Sequence, residues 1–196
     1  MTAPARSRPP GPFLDHSTLV CAAADLADSI GWNELTLSKV AEAVNRHVSS
    51  LYSHVESLDS LREDIAILAV SELADVVWEV TVGRSGADAL TALAGAERDF
   101  ARAHPGRMAA LRSHLGSTNT EFVTQARRIA LPIRTVLASY GLSEQQVAIA
   151  HRVFSATVRG LIEPGTPAGT SDDDIALRAS VTLFVTALES GAWPSV

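Results

Sequence analysis

The stretch Leu35 to Leu61, LTLSKVAEAVNRHVSSLYSHVESLDSL, decides the fold. In it Leu37, Val40, Ala41 and Val44 recur at i, i+3, i+4 and i+7, the spacing that lines one face of a helix. Val48, Leu51, Tyr52 and Val55 repeat the pattern and predict a second helix with the same inward stripe. Asn45 falls where the chain must reverse, and Asn is among the few residues other than Gly that tolerate left-handed backbone. Two amphipathic helices joined by about four residues make a helix-turn-helix, a motif whose second helix enters the DNA major groove.

Working outward, a first helix is expected from about Asp15 to Ile30, with Leu19, Ala22, Ala23, Leu26 and Ile30 as its inner stripe and Gly31 as its stop. Before it, residues 1–12 are rich in proline and carry Arg6 and Arg8 without apolar periodicity. They read as a disordered arm, either a solvated tail or a basic strand for a minor groove. After the motif, Leu61 to about Val82 reads as one long connecting helix. Further helices follow over about 88–103, from Pro105 to about Leu115, from a cap at Thr118 or Asn119 to Tyr140, from the capping box of Ser143 and Gln146 to Pro164, and from Ser171 to Gly191. Pro132 inside one of these predicts a kink or break near 128–132. The fold class is all-α with nine to ten helices, divided into an arm (1–12), a three-helix DNA-binding domain (13–60) and a C-terminal helical domain (61–196).

Composition narrows the function. With 46% hydrophobic residues the 196-residue chain can bury a real core, and a net charge of −6 argues against an indiscriminate nucleic-acid binder. The single cysteine, Cys21, cannot close an internal disulfide and reads as a packing residue. No apolar run reaches the ~18 residues of a membrane span and no signal peptide is visible, so no membrane is expected and the cytoplasm is the expected compartment. No two histidines stand at the i, i+4 spacing of a helical metal site, and no phosphate-cradling glycine motif occurs. Asp172, Asp173 and Asp174 fit the first turn of a helix, where carboxylates favour the dipole. No enzyme, metal or cofactor is expected.

The run Leu14 to Leu61 resembles the DNA-binding domain of the tetracycline-repressor family of bacterial transcription regulators. The resemblance rests on Ala22-Ala23, Gly31, Leu35-Thr36, Val40-Ala41 and above all Leu51-Tyr52-Ser53-His54-Val55 followed by Leu61. Val158 to Glu163 and Leu183 to Gly191 resemble the C-terminal domain of a sub-type that carries Trp-His-Gly where this chain has Val158-Arg159-Gly160. The resemblance implies a homodimer that reads a palindrome in double-stranded DNA and is released by a small-molecule effector, with the last two long helices pairing across the dimer.

Carried over residue by residue, the resemblance places DNA contacts on Leu37, Ser38, Lys39, Val48, Ser49, Ser50, Tyr52, Ser53 and His54. Hydroxyls of Ser38, Ser50 and Tyr52 suit phosphate oxygens, Val48 and Ser49 suit base edges, and His54 suits either a phosphate or packing at the helix end. Two departures matter. Arg46 stands where the family has a buried valine, a gap that Val48 could fill from the DNA side, and Leu58 replaces a phosphate-gripping lysine. Residues 13–62 hold seven carboxylates against Lys39, Arg46 and Arg62, a net of −4, which reduces the counterion release that drives non-specific binding.

For the effector, Trp78, Phe100, Met108, Leu111, His114, Phe122, Arg128, His151 and Phe154 are the candidates, each weighed against ordinary packing or surface placement. Arg128 would suit an anionic ligand. Two readings follow: a ligand-responsive repressor, or a dimer of the same fold with weak or lost DNA binding that serves as a small-molecule or protein-binding module.

Overall fold

The computed structural model describes residues 14–162, 171–191 and 193. The expected arm at 1–12, with Arg6 and Arg8, and the loop at Pro164 lie outside the described residues. Among the described residues the chain is all-helical: α1 (His16–Ile30), a 3-10 turn (Trp32–Glu34), α2 (Leu37–Ala43), α3 (Val48–Leu51), α4 (Leu58–Thr81), α5 (Gly86–Ala103), α6 (Pro105–Ser113), α7 (Thr120–Ala138), α8 (Glu144–Leu161) and α9 (Ser171–Glu189).

Local chemistry sets most of these boundaries. Asp15 caps α1 by accepting from the Thr18 amide, and Gly31 closes it with φ +94°. Thr36 caps α2, Ser57 caps α4, and Asn119 caps α7 by accepting from the Glu121 and Phe122 amides. Ser143 and Gln146 form a complete capping box at α8. The connecting helix α4 starts at Leu58, three residues before the expected Leu61, because Ser57 supplies its cap. The expected division at 60/61 therefore falls within the first turn of a continuous helix.

Three expectations change. α7 runs through Pro132 without a break. The buried face of α1 is Leu19, Val20, Ala23, Ala24 and Ala27, so Leu26 and Ile30 are only half-buried. Cys21 lies off that face and is exposed, so it is not a packing residue.

The core is one continuous cluster from Leu19 in α1 to Leu188 in α9. α4 packs on α1, α5, α6 and α7. Its Leu61 and Ile65 and its Leu73 and Val77 are all buried, so one helix contributes to the packing at both ends of the molecule. Among the described residues no helix is long and apolar enough to cross a membrane.

Candidate functional site

The turn between α2 and α3 is built as the sequence requires. Asn45 takes φ +53°, the one non-glycine residue at positive φ among the described residues. Its amide donates to the Glu42 carbonyl (3.0 Å) and the Arg46 amide to the Ala41 carbonyl (2.8 Å). These two bonds are the pattern that closes a helix through a left-handed residue. Together they aim α3 away from α2.

α3 is shorter than the expected 48–55. It spans Val48–Leu51 and continues as a turn in which the His54 and Val55 amides both donate to the Leu51 carbonyl. Ser50 Oγ donates to the His47 carbonyl (2.6 Å) and Ser53 Oγ to the Ser50 carbonyl (2.7 Å). Side-chain hydroxyls bonding back to nearby carbonyls compete with the helical ladder, which accounts for the short element. The same geometry turns Tyr52 outward, 57% exposed, where the spacing had placed it on the inner stripe. Val55 is buried as expected.

The outer surface of this motif carries Ser38, Ser49, Ser50, Tyr52 and Ser53, all exposed, with His54 half-buried beside them. Leu37 and Val48 are half-buried against the core, and so is Leu58. Arg46 is half-buried and engaged within the chain. Lys39 Nζ lies 3.0 Å from Glu34 Oε2. Arg62 turns inward: its guanidinium stacks over Trp32 at 5.5 Å, reaches the Leu35 carbonyl (3.5 Å) and stands 3.8 Å from Asp59. The surface is thus rich in hydroxyls, and its lysine and Arg62 both have internal partners.

The nine residues considered for an effector separate into two groups. Phe100, Met108, Leu111, Phe122 and Phe154 are buried in the C-terminal core. His114 stacks on Phe122 (6.3 Å), and its Nδ1 is 3.0 Å from the Ala110 carbonyl. His151 is half-buried on α8, its pKa held below the ordinary histidine value by burial and by Arg134 and Arg159. Trp78 and Arg128 belong to the outer surface, and Arg128 holds Asp75 (2.5 Å) and Gln125 (2.7 Å). A cavity of about 280 Å³ lies elsewhere, between α5 and α9. Ala94, Leu177 and Val181 floor it, and Thr91, Arg98 and Arg178 stand at its rim. Beside it, Asp174 is held by Arg102 (2.7 Å) and Arg98 (3.3 Å), so this aspartate ties the start of α9 to α5.

Two charged groups escaped the sequence reading. Glu97 is 94% buried, and burial raises its carboxyl pKa to about 7 against the opposing pull of Arg159. Its signal was present, since it sits on the apolar stripe of Leu90, Leu93 and Phe100. Arg107 is buried at the start of α6, where Asp25, Asp28 and Glu72 surround it. No spacing marks it, because these partners lie far from it in sequence.

Comparison with known proteins agrees with this architecture. Residues 90–188 match a family described as the tetracyclin repressor-like C-terminal domain. An uncharacterised HTH-type transcriptional regulator of Mycobacterium tuberculosis is 34% identical over 150 residues, which cover 76% of this chain and 69% of that protein. Two solved structures share the fold. The TetR protein of Acinetobacter baumannii in complex with minocycline has a TM-score of 0.69 and 21% identity, with 93% of this chain and 100% of that chain covered. AibR in complex with isovaleryl coenzyme A and operator DNA has a TM-score of 0.65 and 15% identity, with coverages of 86% and 96%. None of these matches speaks for the Trp-His-Gly sub-type. The turn at Asn45, the order of helices among the described residues and the match over 90–188 together place the chain in the tetracycline-repressor family of helix-turn-helix transcriptional regulators.

Proposed function

We propose that this chain is a ligand-responsive transcriptional repressor that binds a palindromic operator as a homodimer and works in the cytoplasm, without catalysis. The observation that carries the reading is the closed turn at Asn45, which presents Ser49, Ser50 and Tyr52 to the outside on a short helix. Hydroxyls of Ser38, Ser50 and Tyr52 position the motif on phosphates, Val48 and Ser49 approach base edges, and Leu37, Lys39, Ser53 and His54 complete the contact with DNA. The effector enters among Phe100, Met108, Leu111, His114, Phe122, His151 and Phe154, with Trp78 and Arg128 at the outer edge. Because most of these side chains are close-packed, a ligand has to displace helices to enter, and α4 carries the displacement to the DNA-binding half.

A dimer is supported by the outer faces of α8 and α9, which expose Ile149, Val153, Ile175 and Leu183 beside the small residues Ala148, Ala156 and Ala179. Fluorescence anisotropy with the gene's own upstream DNA over a salt series tests the reading. Sequence-preferring binding at near-physiological salt is the expected result, and no preference even at low salt overturns it. That second outcome points to a fold-retaining dimer that binds small molecules or proteins, a reading favoured by the internal partners of Lys39 and Arg62.

A further inference from the structure

The N-terminus of α6 meets the C-terminal turn of α1 at unusually close range. A methyl on Gly106 would lie 2.2 Å from the Ala27 carbonyl carbon and 2.4 Å from the Asp28 nitrogen, so only glycine permits this approach. His104, at the cap position of α6, makes no capping bond of its own. The missing cap comes from another helix: the Arg107 amide donates to Asp28 Oδ1 at 2.9 Å, and His104 Nδ1 is 3.2 Å from Asp28 Oδ2. A carboxylate at a helix N-terminus accepts an orphan amide and complements the dipole.

The Arg107 side chain then spreads over three elements. Nη1 donates to Asp28 Oδ2, Nη2 donates to Asp25 Oδ1 at 2.7 Å, and Nε lies 2.9 Å from Glu72 Oε2 on α4. The last contact is too bent for a hydrogen bond and acts through charge. One buried planar cation therefore joins α1 of the DNA-binding half, the connecting helix α4 and α6 of the regulatory half. A guanidinium serves this purpose better than an ammonium because its fork is fixed in one plane.

We propose that Arg107, seated through Gly106 on α1, is the positioning residue that fixes the angle between the DNA-binding half and the regulatory half. The inference rests on the repressor reading for its biological meaning, while its geometry is independent of DNA. α4 has 24 residues, about 36 Å of helix at ~1.5 Å per residue, and the DNA-binding half sits at one end of it. A tilt of roughly 10° over that lever moves the reader by about 6 Å, against half-sites spaced ~34 Å apart.

The chain carries its own probe. Cys21 is the sole cysteine and is exposed on α1, so a nitroxide on Cys21 in each protomer reports the separation of the two DNA-binding halves by pulsed dipolar spectroscopy without DNA. The expected result is a narrow wild-type distance distribution that shifts or broadens by about 6 Å or more in Arg107→Met, for the lever reason above. A smaller change is expected in Glu72→Gln, and none in Arg84→Met, which breaks an exposed ion pair with Asp88 beyond the far end of α4. Helicity and melting of Glu72→Gln should match wild type, which separates positioning from loss of fold. If Arg107→Met does not fold, Glu72→Gln and Asp25→Asn decide. In a monomer the angle between the halves is read within one chain, from the distance between nitroxides at Cys21 and at Thr135→Cys on α7. Unchanged distributions in the joint variants, or equal broadening in Arg84→Met, overturn the proposal. Absence of DNA binding in the anisotropy test leaves these distances unaffected, so the two failures are distinguishable.

Discussion

The ammonium of Lys39, the chain's only lysine, sits 3.0 Å from a Glu34 carboxylate oxygen across the start of α2. The cation nearest the outer surface of the motif thus has a partner before any phosphate arrives. Exposed pairs of this kind contribute up to about 1 kcal/mol, so Glu34→Gln should tighten DNA binding by up to roughly fivefold. Anisotropy titrations at two salt concentrations check this, with a steeper salt dependence in the variant. Equal affinity and slope in the two proteins would show that Lys39 does not reach DNA.

Leu58 opens α4 and is half-buried against the core. A lysine can lay its aliphatic stem along such a surface and extend its ammonium to solvent. Leu58→Lys is therefore expected to steepen the log–log salt slope by about 0.9, the signature of one added phosphate contact. A slope that does not move would place α4's first turn away from the duplex.

Glu97 makes stability depend on pH. Its native pKa of about 7 lies above the ordinary 4.5, so the native state binds the proton more tightly than the unfolded chain. The associated stability is complete below about pH 4.5 and is lost as pH rises through 7. Glu97→Gln removes the titration, and at pH 8 it should be more stable than wild type by up to ~3 kcal/mol, from ~1.4 kcal/mol per pKa unit. Denaturant melts from pH 5 to 8 test it: parallel pH profiles for the two proteins would mean that the carboxylate is solvated.

Leu183 is 72% exposed on α9, and Val153 is also exposed on α8. Changing exposed residues affects an isolated chain by no more than about 0.5 kcal/mol. The double variant Val153→Glu, Leu183→Glu should accordingly keep wild-type helicity while its mass by light scattering falls by half. A wild type that is already monomeric at micromolar concentration would remove this face as the dimer contact.

Sequence patterns revealed what local chemistry controls. The caps at Asn119 and Ser143 and the reversal at Asn45 follow from side chains acting within a few residues, and the structure shows each of them, while the helical stripes of α1 and α3 hold only in part. α3 was less legible, because serine back-bonding decides its length and periodicity is blind to it. The outward turn of Tyr52 follows from the same bonds. The effector candidates were chosen as large or polar residues on C-terminal helices, a criterion that buried packing residues and surface ion pairs satisfy equally. That is why Phe154 and Arg128 appeared together. Arg107 was invisible for a different reason: its partners on α1 are about eighty residues away, and no periodicity spans that distance.

The exposed apolar face of α8 and α9 has a consequence for how much chain a cell must hold. A reader poor in free cations binds one half-site weakly, and tethering two readers converts the second contact into an intramolecular event at high effective concentration. Well below the dimerisation constant, halving the amount of chain lowers the paired form about fourfold. Operator occupancy then follows roughly the square of protein abundance, so synthesis rate alone can act as a sharp control on the promoter.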